Sequence, residues 1–190
     1  EIRIYDINQD AAQKYCQELS ETYGVRAVAV ESVEAAVRGA DVINVATAGA
    51  VSPEIQDAWL KEGVLLTLPA SAALSLNTMK SARIVVDNWK MYEAYAQELR
   101  GLPGGYAANL SGICGYLMDL VEGGEIPQQD IVNLGDVIAG KQEGRRDDQE
   151  RVIFIMDGMP IEDLAWGYTV YENAKEMGLG TKLNLWEKTR

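Results

Sequence analysis

The sequence predicts an α/β protein built on a doubly wound, mostly parallel sheet. Two observations point to it. Short β-rich runs alternate with helical spacings through the first half of the chain, and the connections between them are short, closed by glycine or opened by a capping hydroxyl.

The elements follow in order. Ile2, Arg3, Ile4 and Tyr5 read as a short buried strand that closes on Asp6. Ala11, Ala12, Tyr15, Cys16, Leu19 and Tyr23 recur at helical spacing, and Gly24 stops the helix. Val25 to Val30 is the next strand, and Ser32 caps a helix through Val37. Asp41 to Thr47 is a strand, mostly apolar with Asn44 in its middle. Ser52-Pro53-Glu54 combines a capping hydroxyl, a first-turn proline and an acid near the dipole's positive end, which predicts a helix to about Lys61. Strands follow at Val64 to Leu68 and at Arg83 to Val86, the second closing with Asp87.

The second half has a different texture. Asn88 to Leu99 is helical, with Met91, Tyr92 and Tyr95 on one side, and the glycine-rich run Gly101 to Gly105 comes next. Further helical stretches lead to a charged loop through Arg151 and a strand from Val152 to Met156. An amphipathic helix over Ile161 to Met177 is ended by Gly178 and Gly180, and Thr181 to Trp186 reads as extended.

Composition excludes several classes. At 190 residues, 47 % hydrophobic and 24 % charged, the chain has enough apolar material for one ordered domain. A net charge of −12 argues against nucleic acid or an anionic membrane surface as partner. The apolar stretch Val64 to Leu76 is interrupted by Pro69 and falls short of the roughly 20 residues of a spanning helix. Histidine is absent, which removes Ser-His triads, histidine bases and nearly every catalytic zinc site, so no metal is expected. Cys16 and Cys114 are far apart and sit among apolar neighbours; as buried free thiols they fit a reducing, cytoplasmic setting.

Several residues carry candidate chemistry. An acid closing the second strand of a βαβ unit holds the ribose of a dinucleotide, normally about 20 residues after a G-x-G-x-x-G loop. Asp6 has that place without the glycines, and capping of the next helix is the alternative. Val45-Ala46-Thr47-Ala48-Gly49 ends its strand on small residues, which either admit a cofactor to the backbone or make a tight turn. Asp87, Asp136, Asp157 and Asp163 share no paired spacing and read individually as capping or solvated acids. Lys141, Arg145 and Arg146 form either an anion site or a solvated charged loop. These motifs alone stop at a Rossmann-like sheet.

A wider pattern adds to them. Leu134-Gly-Asp-Val-Ile-Ala-Gly-Lys141, Gly144-Arg145, the strand Val152 to Met156, Gly158, Ile161-Glu-Asp163 and Gly178-Leu-Gly-Thr181 together resemble the ornithine cyclodeaminase/μ-crystallin family. Val33 to Ile43 matches upstream, so the resemblance spans nearly the whole chain. It implies a two-domain protein with a dimerising substrate domain and an NAD(P)-binding Rossmann domain. Residues 1–190 would be the latter, incomplete at its N-terminus, without the first strand, the glycine loop or the substrate domain. The resemblance places Asp6 and Ile7 at the ribose, Ala46 and Thr47 along the cofactor, Leu68 and Pro69 beside the nicotinamide, and Met156 and Gly158 over nicotinamide and substrate. The Tyr5-Asp6-Ile7 context favours NAD over NADP.

Two departures shape the expected activity. Where cyclodeaminases carry a catalytic aspartate, this chain reads Ala70-Ser-Ala-Ala-Leu74, with no acid. After the last strand it has Met156 and Asp157, and Asp157 would either meet an ammonium group or act as a substitute acid. The expectation is therefore an NAD-dependent oxidoreductase acting on an amino acid or its imine by hydride transfer, homodimeric at full length. The alternatives are an ammonia-eliminating cyclodeaminase and a non-catalytic μ-crystallin-like binding protein.

Overall fold

Strands and helices alternate from the first residues onward in a computed structural model that describes residues 1–48, 51–110 and 112–183. The order is β1 (Ile2–Ile4), α1 (Gln9–Tyr23), β2 (Ala27–Ala29), α2 (Val33–Val37), β3 (Val42–Asn44), β4 (Glu54–Ile55), β5 (Leu65–Leu68), β6 (Ala73–Leu74), α3 (Leu76–Ser81) and β7 (Arg83–Val86). Then come α4 (Trp89–Leu99), α5 (Gly105–Asn109), α6 (Ile113–Glu122), β8 (Val132–Asn133), α7 (Leu134–Ile138), β9 (Val152–Ile155) and α8 (Pro160–Glu176). The chain divides into two units, Glu1–Asp157 and Gly158–Arg190.

Local chemistry sets most boundaries in the first unit. Asn8 caps α1 by accepting the Ala11 N–H, and Gly24 ends it at φ 64°, a left-handed conformation open to glycine at little cost. Ser32 and Ser75 cap α2 and α3 in the same way, accepting from Ala35 and Thr78.

The described strands form a parallel five-stranded sheet in the order β3-β5-β9-β7-β8, with β1-β2 and β4-β6 as separate parallel pairs. Leu66, Leu68, Ile153, Ile155 and Val86 lie almost wholly buried in the central strands, as in a parallel sheet covered on both faces. Asn44 ends β3, and the Thr67 hydroxyl, one strand over, donates to its Oδ1 at 2.8 Å. Met79, Tyr92, Ile113, Leu117 and Met118 from α3, α4 and α6 complete the same core. Gly115 lets α5 and α6 approach: a Cβ there would lie 2.6 Å from the Tyr106 carbonyl oxygen.

The helix expected from Ser52 to Lys61 does not form. Glu54 and Ile55 pair instead with Ala73 and Leu74, and only Asp57–Trp59 makes a short 3-10 turn. The capping signal loses to tertiary contacts: Ile55 and Leu60 are both buried five residues apart, a spacing that one helical face does not give. Asp57 serves another helix, accepting from Ser75 Oγ at 2.7 Å, from Asn77 Nδ2 at 2.8 Å and from the Thr78 hydroxyl.

In the second unit, α8 has proline in its first turn followed by Glu162 and Asp163, a favourable helix start. None of its residues is buried, so the amphipathic pattern is not matched by a covered face. Thr181 to Leu183 has no regular structure, and the rest of the expected extended segment lies outside the described residues. Among the described residues, no helix is long and apolar enough to cross a membrane, and no group of three or more Cys, Asp or Glu could hold a metal ion.

Candidate active site

The carboxyl ends of β3, β5 and β9 open into a cavity of about 550 Å³. Ligands of doubly wound sheets bind at this edge, where loops diverge from the strands. Thr47 and Ala48 continue β3, Leu68, Pro69, Ala70 and Ser71 continue β5, and Ile155, Met156 and Asp157 continue β9. Gly112, Ile113 and Cys114, at the start of α6, close the fourth side.

Asp157 is the acid on this wall. The Cys114 thiol donates to its Oδ1 at 3.5 Å. Burial, and then the charge of Asp157, pushes the Cys114 pKa up to about 12, so the thiol keeps its proton and remains a donor. Burial and the same charge raise the Tyr95 phenol. Behind Asp157 lies Asp87, only 3 % exposed, at the end of the neighbouring strand β7. The register that sets Val86 against Ile155 brings the two ends together. Asp87 Oδ2 accepts the Asp157 backbone N–H at 2.9 Å, and Oδ1 accepts that of Asn88 at 2.9 Å. Burial first, then the Asp87 charge, raises the pKa of Tyr92, whose ring stacks on Trp89.

The structure thus brings Thr47, Leu68, Pro69, Met156 and Asp157 around one cavity. It does not bring every expected residue there. Asp6 follows β1 and is exposed, with Oδ1 accepting the Asn8 N–H at 2.7 Å, so it shapes the turn into α1 while Asn8 supplies the cap. Ile7 is 92 % exposed, and Ala46 is exposed outside the cavity lining. Gly158 has φ 86° and opens the second unit; Gly49 lies outside the described residues. The basic loop is tied down: Arg145 donates to the Gly63 and Glu150 carbonyls, Arg146 pairs with Glu150, and Lys141 faces Asp136 at 3.6 Å.

Sequence reading missed Cys114, Ser71 and Gly112 as cavity residues. Asp87 stood among the candidate acids, but nothing local marked it as buried against a second strand end. Its signal was its place: an acid following the apolar run Ile84 to Val86, next to the end of another apolar strand.

A parallel α/β sheet with a cavity at its carboxyl edge is the architecture of a dinucleotide-binding protein. The chain belongs to the ornithine cyclodeaminase/mu-crystallin family, whose sequence pattern matches residues 1–178. The alanine dehydrogenase of Archaeoglobus fulgidus is 31 % identical over 189 residues, covering 96 % of this chain and 52 % of that protein. Thermococcus litoralis Delta(1)-pyrroline-2-carboxylate reductase, solved with NADH and L-proline, superposes with a TM-score of 0.72 at 26 % identity, covering 95 % of this chain and 52 % of that one. An archaeal alanine dehydrogenase dimer with bound NAD superposes at a TM-score of 0.68 and 26 % identity, covering 97 % of this chain and 52 % of that one. This chain spans about half the length of the relatives it matches.

Proposed function

We propose that this chain is the nucleotide-binding part of an NAD-dependent oxidoreductase that acts on an amino acid or its imine. The observation that carries the reading is the cavity at the carboxyl ends of β3, β5 and β9, with Asp157 on its wall. The related pyrroline-carboxylate reductase and alanine dehydrogenase, solved with NADH and NAD, support the cofactor and the substrate class.

Bound nicotinamide would supply or accept the hydride. Thr47, Leu68, Pro69 and Met156 would line the ring's side of the cavity, and the exposed Asp6 side chain offers a carboxylate for the ribose. Ala46 and Ile7 would flank the same path, and Gly158 would continue the turn after Asp157. Asp157 offers negative charge to a cationic nitrogen. The segment Ala70 to Leu74 supplies no acid, and Ala73 and Leu74 are committed to β6, which favours hydride transfer over ammonia elimination.

The phosphate-binding turn and the first strand would come from sequence upstream of Ile2. Two bare edges support this. β1 pairs only with β2 and β3 only with β5 among the described strands, so the Arg3 backbone groups point away from β2 and those of Val42 and Asn44 away from β5. Homodimerisation and a cytoplasmic location belong to the same reading.

The test is turnover by the full-length protein with NAD and a panel of amino acids, followed by the absorbance of reduced nicotinamide. Substrate-dependent NADH formation supports the reading. Ammonia release without net cofactor reduction would indicate the lyase, and NADH binding with no turnover the binding protein; either outcome overturns it.

A further inference from the structure

We propose that Asp87 and Cys114 are positioning residues that aim the Asp157 carboxylate at the cationic nitrogen of the substrate, so that the three together discriminate an amine from a neutral analogue. The inference rests on the amino-acid or imine reading and extends it to residues behind the cavity.

Constraints act on Asp157 from different elements, with the Tyr95 phenol of α4 also hydrogen-bonded to its carboxylate. Its side chain is held by the Cys114 thiol from α6, at 3.5 Å. Its backbone is held by Asp87 from the end of β7, at 2.9 Å. Asp87 is well suited to this because both its oxygens are in use, one on Asn88 and one on Asp157. A carboxylate accepts at both oxygens, whereas an asparagine has one acceptor and one NH₂ donor. In Asp87→Asn, one of the two backbone N–H groups would therefore face another donor. Burial makes that mismatch costly, since Asp87 is 3 % exposed.

The arrangement also concentrates charge. Two carboxylates, Asp87 and Asp157, lie on adjacent strand ends, while the neighbouring Cys114, Tyr92 and Tyr95 groups are held in their neutral forms by burial and by that charge. Within the cavity lining, Asp157 brings the charge and no Lys or Arg opposes it. A cationic ammonium or iminium is the chemistry that such a wall recognises. A 2-hydroxy acid of the same shape offers a neutral hydroxyl in place of that cation.

The experiment measures, on the full-length protein, affinity for a turned-over amino acid against its 2-hydroxy counterpart as competitive inhibitor. Wild type, Asp157→Asn, Asp87→Asn, Cys114→Ala and Cys114→Ser are compared. Asp157→Asn is expected to cut amine preference by on the order of tenfold or more, the worth of a charge-assisted contact. Asp87→Asn and Cys114→Ala should each lose part of that preference, and Cys114→Ser, which keeps a donor, should retain more of it than Cys114→Ala. A purely structural role would weaken both ligands equally, and unchanged ratios in Asp87→Asn and Cys114→Ala overturn the proposal. If Asp87→Asn does not fold, the Cys114 pair decides. Wild-type turnover with unchanged ratios in the variants sinks this inference and leaves the oxidoreductase reading standing. Absence of wild-type turnover sinks that reading instead, while the ratios remain measurable as binding.

Discussion

The β1-β2 pair and the five-stranded sheet are made from similar apolar sequence, yet they end in different physical states. Leu66, Ile153 and Val86 in the larger sheet are fully buried, whereas Ile2 and Val28 in the pair are 42 % and 37 % exposed. β3 belongs to the larger sheet but lies at its edge nearest the pair in chain order, and its Val42 is 59 % exposed. A parallel strand is stabilised by neighbours on both edges and layers on both faces, and strand propensity alone does not supply them. The same contrast divides the candidate site. Asp157 is held from two sides, while Asp6 stands on a turn facing solvent.

The largest expected effect tests the bare edges. If an upstream strand sits between β1 and β3, the amides of Arg3, Val42 and Asn44 should exchange hydrogen quickly in this chain. They should slow by about 100-fold or more in the full-length protein, as ladder amides open only with about 3 kcal/mol or more of local unfolding. Equal exchange in both would show that no strand fills that place.

The next contrast concerns burial itself. Leu66→Ala is expected to cost about 2–5 kcal/mol in denaturant unfolding, the range for a truncated core leucine. Val28→Ala, on the pair, should stay within about 1 kcal/mol. Similar losses at the two positions would show that the pair is as well packed as the central sheet. Between these lies Gly115→Ala, whose new methyl meets the Tyr106 carbonyl and should cost about 1–3 kcal/mol by parting α5 from α6.

The well-buried half of the fold was also the readable half. Strands Val64 to Leu68, Arg83 to Val86 and Val152 to Met156 are apolar runs bounded by glycine, proline or charge, and each appears within a residue or two of its expected place. The segment from Ser52 to Lys61 was misread because its capping hydroxyl is a local signal. What decides its conformation is pairing with Ala73 and Leu74 and burial of Ile55, the paired residues lying 19 positions away. β6, β8 and α3 were missed because two to six residues carry too little periodicity to register. Around the cavity, Thr47, Leu68, Pro69, Met156 and Asp157 stand at or just past strand ends, a position readable from the apolar runs before them. Cys114 was not readable in this way, because it enters the cavity from a helix start that follows a glycine and leaves no strand-end signature.

The smallest expected effect concerns the segment the sequence misled about. Burial works to raise the Asp57 carboxyl, but hydrogen bonds from Asn77 and Ser75 and the charge of Arg151 hold it below the usual aspartate range. The folded-state pKa is therefore depressed relative to the unfolded chain. The sign follows: the stabilisation is fully present above the unfolded value near 3.9 and is lost as pH falls through the lower folded value. Unfolding free energies of wild type and Asp57→Asn should differ by a constant amount from neutral pH down to about 5, then converge below about pH 4. Parallel pH profiles all the way down would mean that the Asp57 charge does not hold α3 to the turn after β4. In that case Ile55 and Leu60 alone would keep the segment from forming a helix, and burial would account for its conformation without electrostatics.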